Sequence, residues 1–419
     1  MSPSRTQRGH RRRGNGWLTA AAVIAAAALF LPVLLLPLTT SVSTWAWLPL
    51  LLLGLAGLLW LIVRRRRPGV RPMAVGVVAL AAIGAVVVSQ TLAVTPPITG
   101  ADGERVPGSI ASVEKVDLNG SEQWITVRGH EESNPVLLNL GMGGPGGGGF
   151  FNSTEFRPLE EHFTVVNWDE PGTGKSYGAV PFDELDRERF VADATALTNH
   201  LRQRFGQDKI YVYGVSWSSI LGIWLVQEHP DLFHAFISSG QMVNTTENDR
   251  MGYELALEHL EEQGDTDRAE KLRDNGPPPY YGDNVVRPYV DFLDVLNEIM
   301  GIPRYTLVVP IIPFLVPEYG YIDKINHTRG LIKSFNAVYP QLENLDFVEQ
   351  APSLDVPVFF FVGRHDVNAM SSLVEEYYET LSAPEKRLVW LEGGHGLGSA
   401  DNKDLFIDVM IEQVRPLSQ

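Results

Sequence analysis

The residues most able to do chemistry begin with Gly214-Val215-Ser216-Trp217-Ser218, which follows the apolar run Ile210 to Val215 and precedes an amphipathic stretch. A strand that turns sharply into a helix lifts the side chain at the turn out of the sheet, so Ser216 would stand exposed as a nucleophile. Such a turn demands small residues two places either side. Gly214 meets that demand, and Ser218 stands where a second glycine is usual. A serine hydroxyl is a weak nucleophile and needs a base, which in turn needs a group to orient it. Asp366 closes Gly363-Arg364-His365-Asp366 after the run Val356 to Val362, and His395 lies in Gly393-Gly394-His395-Gly396 after Arg387 to Leu391. Taken singly, Asp366 could cap a following helix and His395 be one of ten histidines. Together, serine, acid and histidine each follow an apolar run, in the chain order of a Ser-Asp-His hydrolase triad.

A fourth element is the loop Gly141-Met142-Gly143-Gly144-Pro145-Gly146-Gly147-Gly148-Gly149, directly after Val136 to Leu140. Glycine lets backbone N–H groups come close to a substrate oxygen, and two such donors stabilise the oxyanion of acyl transfer. The donors expected are the N–H of Trp217, the residue after the nucleophile, and one from this loop, Gly144 or its neighbour Gly143. A flexible surface loop would have a similar composition.

With the elbow, the Gly-Gly-Pro-Gly loop and Asp169-Glu170-Pro171-Gly172-Thr173-Gly174-Lys175-Ser176 on view, residues 110 to 417 resemble the proline iminopeptidase family. The resemblance implies an α/β-hydrolase fold with a helical cap and release of N-terminal residues, with relatives that cleave other amides or esters. Four features depart from the family pattern. Met142 stands in place of a histidine, Ser218 in place of a glycine and Glu170-Pro171 in place of a Gln-Arg pair, and the cap's tryptophan-flanked glutamate is not recognisable. The run Pro171 to Ser176 also looks like the end of a phosphate-binding loop, but G-x-x-x-x-G-K-[ST] needs glycine at position 169, which is aspartate.

These residues must be held by a framework. Strands are expected at Ser112 to Asp117, Trp124 to Arg128, Val136 to Leu140, Phe163 to Trp168, Ile210 to Val215, Ala235 to Ser239, Val356 to Val362 and Arg387 to Leu391. Helical patterns at Glu184 to Arg204, Ser219 to Glu228, Ser372 to Leu381 and Leu405 to Val414 alternate with them, predicting a mostly parallel sheet flanked by helices. The alternation lapses from Met242 to Ala351, where Glu254 to Asn275 and Tyr289 to Met300 read as helices of an inserted cap. The organisation expected is therefore anchor 1–94, linker 95–110, core 111–241, cap 242–351 and core 352–419.

The anchor rests on three uncharged apolar runs, about residues 17–38, 45–63 and 73–94, each near the ~20 residues that cross a bilayer as a helix. The first exceeds the apolar core of a cleavable signal peptide. Residues 1–95 hold ten arginines and no other charge. They lie before the first run (Arg5, Arg8, Arg11 to Arg13) and between the second and third (Arg64 to Arg67, Arg71). By the positive-inside rule those ends stay in the cytoplasm, and the domain after Val94 is extracytoplasmic on a multi-pass cell-membrane protein.

The rest of the chain carries a net charge of −26. So acidic a balance argues against nucleic acid as a partner. The chain has no cysteine, which excludes thiolate nucleophiles and disulfides, and no metal-ligand spacing or cofactor motif is present. Asn119, Asn152, Asn244 and Asn326 begin N-x-[ST] sequons, a pattern common by chance. The partners expected are a small-molecule or short-peptide substrate and the lipid bilayer. A free substrate amine would need an anionic partner, and Glu247 and Glu254, seven residues apart on one helical face, are the cap candidates. The alternatives are a membrane-surface carboxylesterase or lipase, with apolar cap residues from Leu307 to Val316 over an acyl chain, and a catalytically dead binding protein on the same fold.

Overall fold

The computed structural model describes residues 7–64, 67, 69–141, 143–150, 154–397 and 399–418, with side chains from Trp17 onward. Arg5, Arg65, Arg66, Met142 and Asn152 lie outside the described residues. The chain divides into two compact units.

One unit comprises the residues up to Val94 together with Val316–Ile322. Its helices are α1 (Gln7–Thr39), α2 (Thr44–Val63) and α3 (Val70–Leu92). Their apolar stretches Trp17–Thr39, Thr44–Val63 and Val70–Leu92 are long enough to cross a membrane. They pack through small residues that let the helix backbones approach closely. A Cβ at Gly54 would lie 2.2 Å from the Phe30 ring, and one at Gly84 would lie 2.6 Å from Leu50. Leu52, Leu59, Leu80 and Ile83 face outward, the reverse of a water-soluble bundle. Within this unit the Ser41 N–H donates to the Pro317 carbonyl at 3.0 Å, the Ile322 N–H to Gln90 Oε1 at 2.9 Å, and the Tyr321 hydroxyl to the Pro32 carbonyl.

The second unit, Thr95–Leu315 with Asp323–Gln419, is built on one eight-stranded sheet. Its strands are β1 (Ile110–Leu118), β2 (Ser121–Gly129), β3 (Val136–Asn139), β4 (Thr164–Asp169), β5 (Ile210–Val215), β6 (Phe233–Ser239), β7 (Val358–Gly363) and β8 (Lys386–Leu391). The spatial order is β1-β2-β4-β3-β5-β6-β7-β8, with β1, β2 and β4 antiparallel and all later pairings parallel. The central strands read as continuous apolar runs because both faces are covered. On β5, Ile210 and Val212 join the core beneath α4 (Arg187–Phe205), α5 (Trp217–Glu228) and α12 (Ser371–Thr380). Tyr211, Tyr213 and Val215 join the opposite core, with Phe406 and Val409 of α13 (Ala400–Val409).

Between β6 and β7 lie α6 (Thr245–Glu262), α7 (Thr266–Asn275), α8 (Val286–Ile299), α9 (Tyr305–Val308), α10 (Tyr321–Val338) and α11 (Phe347–Gln350). Tyr253, Ala256, Leu260, Leu272, Phe292, Leu296 and Tyr339 form a separate small core there. Three expectations need correction. The single helix expected at Glu254 to Asn275 is two, broken at Gly264, whose φ of 69° ends α6 and lets Asp265 cap α7. The 18-residue α10 has no counterpart among the expected helices, because its apolar positions are too scattered for a clear periodic signal. The helix expected from Leu405 also begins earlier, at Ala400, capped by Ser399.

Candidate active site

Ser216 sits at φ 55° and ψ −119°, a region that non-glycine residues rarely enter and that persists only where the surroundings enforce it. The enforcement is local. A Cβ at Gly214 would lie 2.3 Å from the Ser218 carbonyl oxygen, so only glycine fits beneath the turn. The Ser218 hydroxyl accepts from the Val215 N–H at 2.7 Å and donates to the Gly141 carbonyl at 2.5 Å. The residue that departs from the family's glycine therefore ties the elbow to the start of the glycine loop.

The Ser216 N–H donates to the Ser239 carbonyl at 3.2 Å, continuing the β5–β6 ladder through the turn. The next residue on that neighbouring strand end is Gly240, at φ 55°, and a Cβ there would lie 2.5 Å from His395 Cε1. The imidazole thus lies on Gly240, one residue beyond the pairing partner of Ser216. His395 Nδ1 bonds Asp366 Oδ2 at 2.8 Å. Asp366 is buried, and its Oδ1 accepts the N–H groups of Asn368 and Ala369 at 2.9 and 2.8 Å. The loops carrying these two residues are stitched together: Arg364 N–H donates to Leu391 O and His365 N–H to Gly393 O. A Cβ at Gly363 would lie 2.1 Å from the Gly394 oxygen.

Burial pulls the His395 imidazole toward the neutral form, but the charge and hydrogen bond of Asp366 outweigh it and hold the group above its ordinary value. Among the described residues no hydrogen bond joins Ser216 Oγ to the imidazole. Such contacts commonly tighten only when substrate is bound.

Trp217 begins α5, so its N–H has no intrahelical acceptor. Gly143 and Gly144 adopt φ of 89° and 92°, open to glycine and strained for other residues. The Tyr305 hydroxyl holds the Gly143 carbonyl at 3.0 Å, and the Gly147 N–H donates to Gly144 O at 2.9 Å. The N–H groups of Gly143, Gly144 and Trp217 keep no internal partner among the described residues, leaving them available to an outside acceptor.

Two cap positions expected to read a substrate amine do not face inward. Glu247 and Glu254 both pair with Arg250, at 2.6 and 2.7 Å, with side chains 39% and 63% exposed. They do share a face, but it is the solvent face of α6. Asp249, two residues on from Glu247, is buried and accepts the Tyr339 hydroxyl at 2.6 Å. Burial pushes its carboxyl up to about 7 against the pull of Tyr339 and Asn248. Tyr339 stacks on Phe335 at 4.9 Å, and Phe335 lies 3.6 Å from where a Cβ of Gly144 would be. Asn248 donates to Asn368 O and accepts the Met370 N–H, both at 2.8 Å, tying α6 to the Asp366 loop. Sequence reading missed Asp249, Asn248 and Gly240. A glycine one residue past the strand beside the nucleophile was a usable signal for the last.

The rival phosphate loop also fails on geometry. Lys175 Nζ is buried against Asp323 at 3.0 Å, and Gly174–Ser176 form a short 3₁₀ turn rather than opening a long helix.

Residues 134–276 match the family described as alpha/beta hydrolase fold. The probable aminopeptidase YbaC of Bacillus subtilis (strain 168) is 28% identical over 315 residues, covering 73% of this chain and 97% of that protein. A probable proline iminopeptidase of Leptolyngbya boryana is 34% identical over 109 residues, covering 25% of this chain and 30% of the other. The crystal structure of the proline iminopeptidase from Mycobacterium smegmatis superposes with a TM-score of 0.51 at 17% identity, over 73% of this chain and 99% of that one. A proline iminopeptidase-related protein from Thermus thermophilus gives 0.51 at 19% identity, over 74% and 99%. The sheet, the elbow and these likenesses agree: the chain has the α/β-hydrolase fold and resembles the proline iminopeptidase family.

Proposed function

We propose that this chain is a membrane-anchored serine hydrolase of aminopeptidase type, acting through Ser216, His395 and Asp366. The observation that carries the reading is the meeting of three loops: the strained elbow of Ser216, the His395 ring on Gly240 beside it, and the Asp366 carboxylate on Nδ1. His395 takes the Ser216 proton as Oγ attacks a carbonyl, and Asp366 holds the tautomer that leaves Nε2 free to accept it. The N–H groups of Trp217 and Gly144 receive the oxyanion, with Gly143 as the alternative loop donor, each worth ~3 kcal/mol in the transition state. His395 then protonates the leaving group, and water releases the acyl group.

The aminopeptidase reading draws on the names of the relatives and on Asp249, a buried carboxylate that could meet an ammonium group. A carboxylesterase is the second reading, favoured by Leu307, Ile311 and Leu315, which expose apolar side chains in the segment around α9. The three apolar helices anchor the chain in a bilayer, with the arginine-bearing ends cytoplasmic and the hydrolase unit outside.

A fluorophosphonate probe on intact cells tests the enzyme and its topology together. Labelling of wild type but not Ser216→Ala, removed by external protease, is the expected result. Unchanged labelling of Ser216→Ala would overturn the nucleophile, protection from protease would overturn the orientation, and a wild type that never labels would favour a dead hydrolase fold. Comparing an aminoacyl amide with its N-acetylated form decides between amine-reading peptidase and esterase.

A further inference from the structure

We infer that Glu170, in its ionised form, is a positioning residue for the oxyanion site, one carboxylate oxygen holding the glycine loop and the other holding the residue after the nucleophile. The inference rests on the serine-hydrolase reading above. Glu170 directly follows β4 and is buried. Its Oε1 accepts the Gly146 N–H at 2.6 Å, and its Oε2 accepts the Trp217 indole N–H at 3.1 Å.

These two contacts reach the two elements that carry the proposed oxyanion donors. Gly146 lies inside the turn closed by the Gly147 N–H on Gly144 O, so holding Gly146 braces the turn that directly follows the Gly144 N–H, whose own peptide is held by the Tyr305 hydroxyl on Gly143 O. From the other side, a Cβ at Gly146 would lie 2.8 Å from Ser334 of α10, so the turn is pinned on both faces. The Trp217 indole packs edge-on against Phe190 at 5.3 Å and Trp224 at 6.1 Å. Glu170 adds the polar contact that fixes the indole, steadying the residue whose backbone N–H is the second proposed donor.

The chemistry of the two contacts favours the carboxylate. Both partners are N–H donors, so both oxygens must accept. An amide offers one acceptor and turns a donor toward the other N–H, and a protonated acid meets the second N–H only through its weaker hydroxyl oxygen. Burial pushes the Glu170 carboxyl up to about 8, against the pull of the Trp217 and Gly146 bonds, and the charge of neighbouring Asp169 adds to the rise. Among the described residues, the other ionisable groups around the loop are His327, Lys175 and Tyr305, whose hydroxyl donates to Gly143 O and is held well above its ordinary value by burial. His327 bonds Gly147 O and is kept neutral by burial, and Lys175 is paired with Asp323. Near neutral pH the carboxylate is therefore only partly formed, and the oxyanion site completes itself as pH rises through about 8.

The test uses the full-length protein and a neutral p-nitrophenyl ester, which brings no ionising amine of its own. In wild type, kcat should rise with pH through two ionisations, those of His395 and Glu170, giving a limb steeper than one proton. Glu170→Gln keeps the shape but supplies one acceptor, so the second ionisation should vanish. Its plateau kcat should fall about 10- to 100-fold with KM within about threefold, less than the cost of deleting an oxyanion donor outright. Should Glu170→Gln fail to fold, Glu170→Asp keeps two acceptors on a shorter stem and should retain the steep limb at a lower plateau. A Glu170→Gln enzyme with wild-type kcat, or with reduced kcat and the steep limb intact, would overturn the inference. Ser216→Ala run in parallel separates the two readings: activity there breaks the serine mechanism, whereas an inactive Ser216→Ala beside a wild-type-like Glu170→Gln removes only Glu170.

Discussion

The strand ends and the cap treat their functional candidates differently. At the strand ends, Ser216, Asp366 and His395 each follow a strand of known register, and the parallel pairing of β5, β6, β7 and β8 carries them to one edge of the sheet. In α6, by contrast, Glu247 and Asp249 stand two residues apart and have opposite fates, one exposed against Arg250 and the other buried against Tyr339. A strand end fixes position through the hydrogen-bond ladder, which the sequence displays as an apolar run. A cap helix fixes it only through the packing of several short helices, and residue type says little about which face turns inward.

The largest effect expected at the strand ends is Ser216→Ala, which should lower kcat by about 10⁴-fold or more, as triad deletions do. His395→Ala should do nearly as much, and Ser216→Ala/His395→Ala should be little worse than either alone, since the residues act as one unit. Wild-type turnover should also fall as pH drops through the raised value of His395, because only the neutral imidazole can take the Ser216 proton. Additive losses would break the view of the strand ends as one assembly.

The sharpest test of the cap is Asp249→Asn. An ammonium group in a partly desolvated site needs an anion, and an unpaired buried charge costs several kcal/mol. The expected result is a rise in KM of at least about tenfold for an aminoacyl amide, with its N-acetylated twin unchanged. Equal losses on both substrates would make Asp249 a packing residue of the cap and weaken the peptidase reading.

The same contrast decides what was legible in advance. All eight strands stood out, the central ones because buried parallel strands are apolar throughout, the marginal β1, β2 and β8 because polar and apolar residues mix along them between turns. The triad candidates followed from chain order, and Gly144 from its place after β3. The cap was legible only as a lapse in alternation. The split at Gly264 is a local glycine-and-cap signal masked by the helical pattern on either side, and the length of α10 leaves only weak periodicity. Glu170 was visible only as a departure from a family pattern. Its two N–H partners lie 24 residues before it and 47 after, beyond any local rule.

A smaller effect is expected at Ser218, where the family's glycine is missing. Ser218→Gly removes the hydroxyl that accepts the Val215 N–H and donates to the Gly141 carbonyl, leaving two buried backbone groups to find other partners. The cost should be about 1–3 kcal/mol of stability, read as a lower Tm, with Ser216 still labelled by a fluorophosphonate. A more stable Ser218→Gly would mean that the elbow bears strain the hydroxyl does not relieve.

The smallest effect is predicted where the sequence suggested the most for the cap. Glu247→Gln and Glu254→Gln each remove a charge beside Arg250, and Arg250 lowers the Glu247 carboxyl through its hydrogen bond. Both carboxylates face solvent, where water already supplies most of the stabilisation that the guanidinium gives, so pairs of this kind contribute little. Neither residue neighbours the aromatic wall of Phe335 and Tyr339 or the loop after Asp366, to which α6 is tied by Asn248 instead. Each variant should keep kcat/KM for the aminoacyl amide within about twofold of wild type and shift Tm by no more than about 1 °C. A tenfold loss specific to the free amine, in either variant, would show that the solvent face of α6 handles substrate after all. It would move the amine-reading site out of the buried layer and onto the rim, and Asp249→Asn would then be expected to leave the amide and its acetylated twin alike.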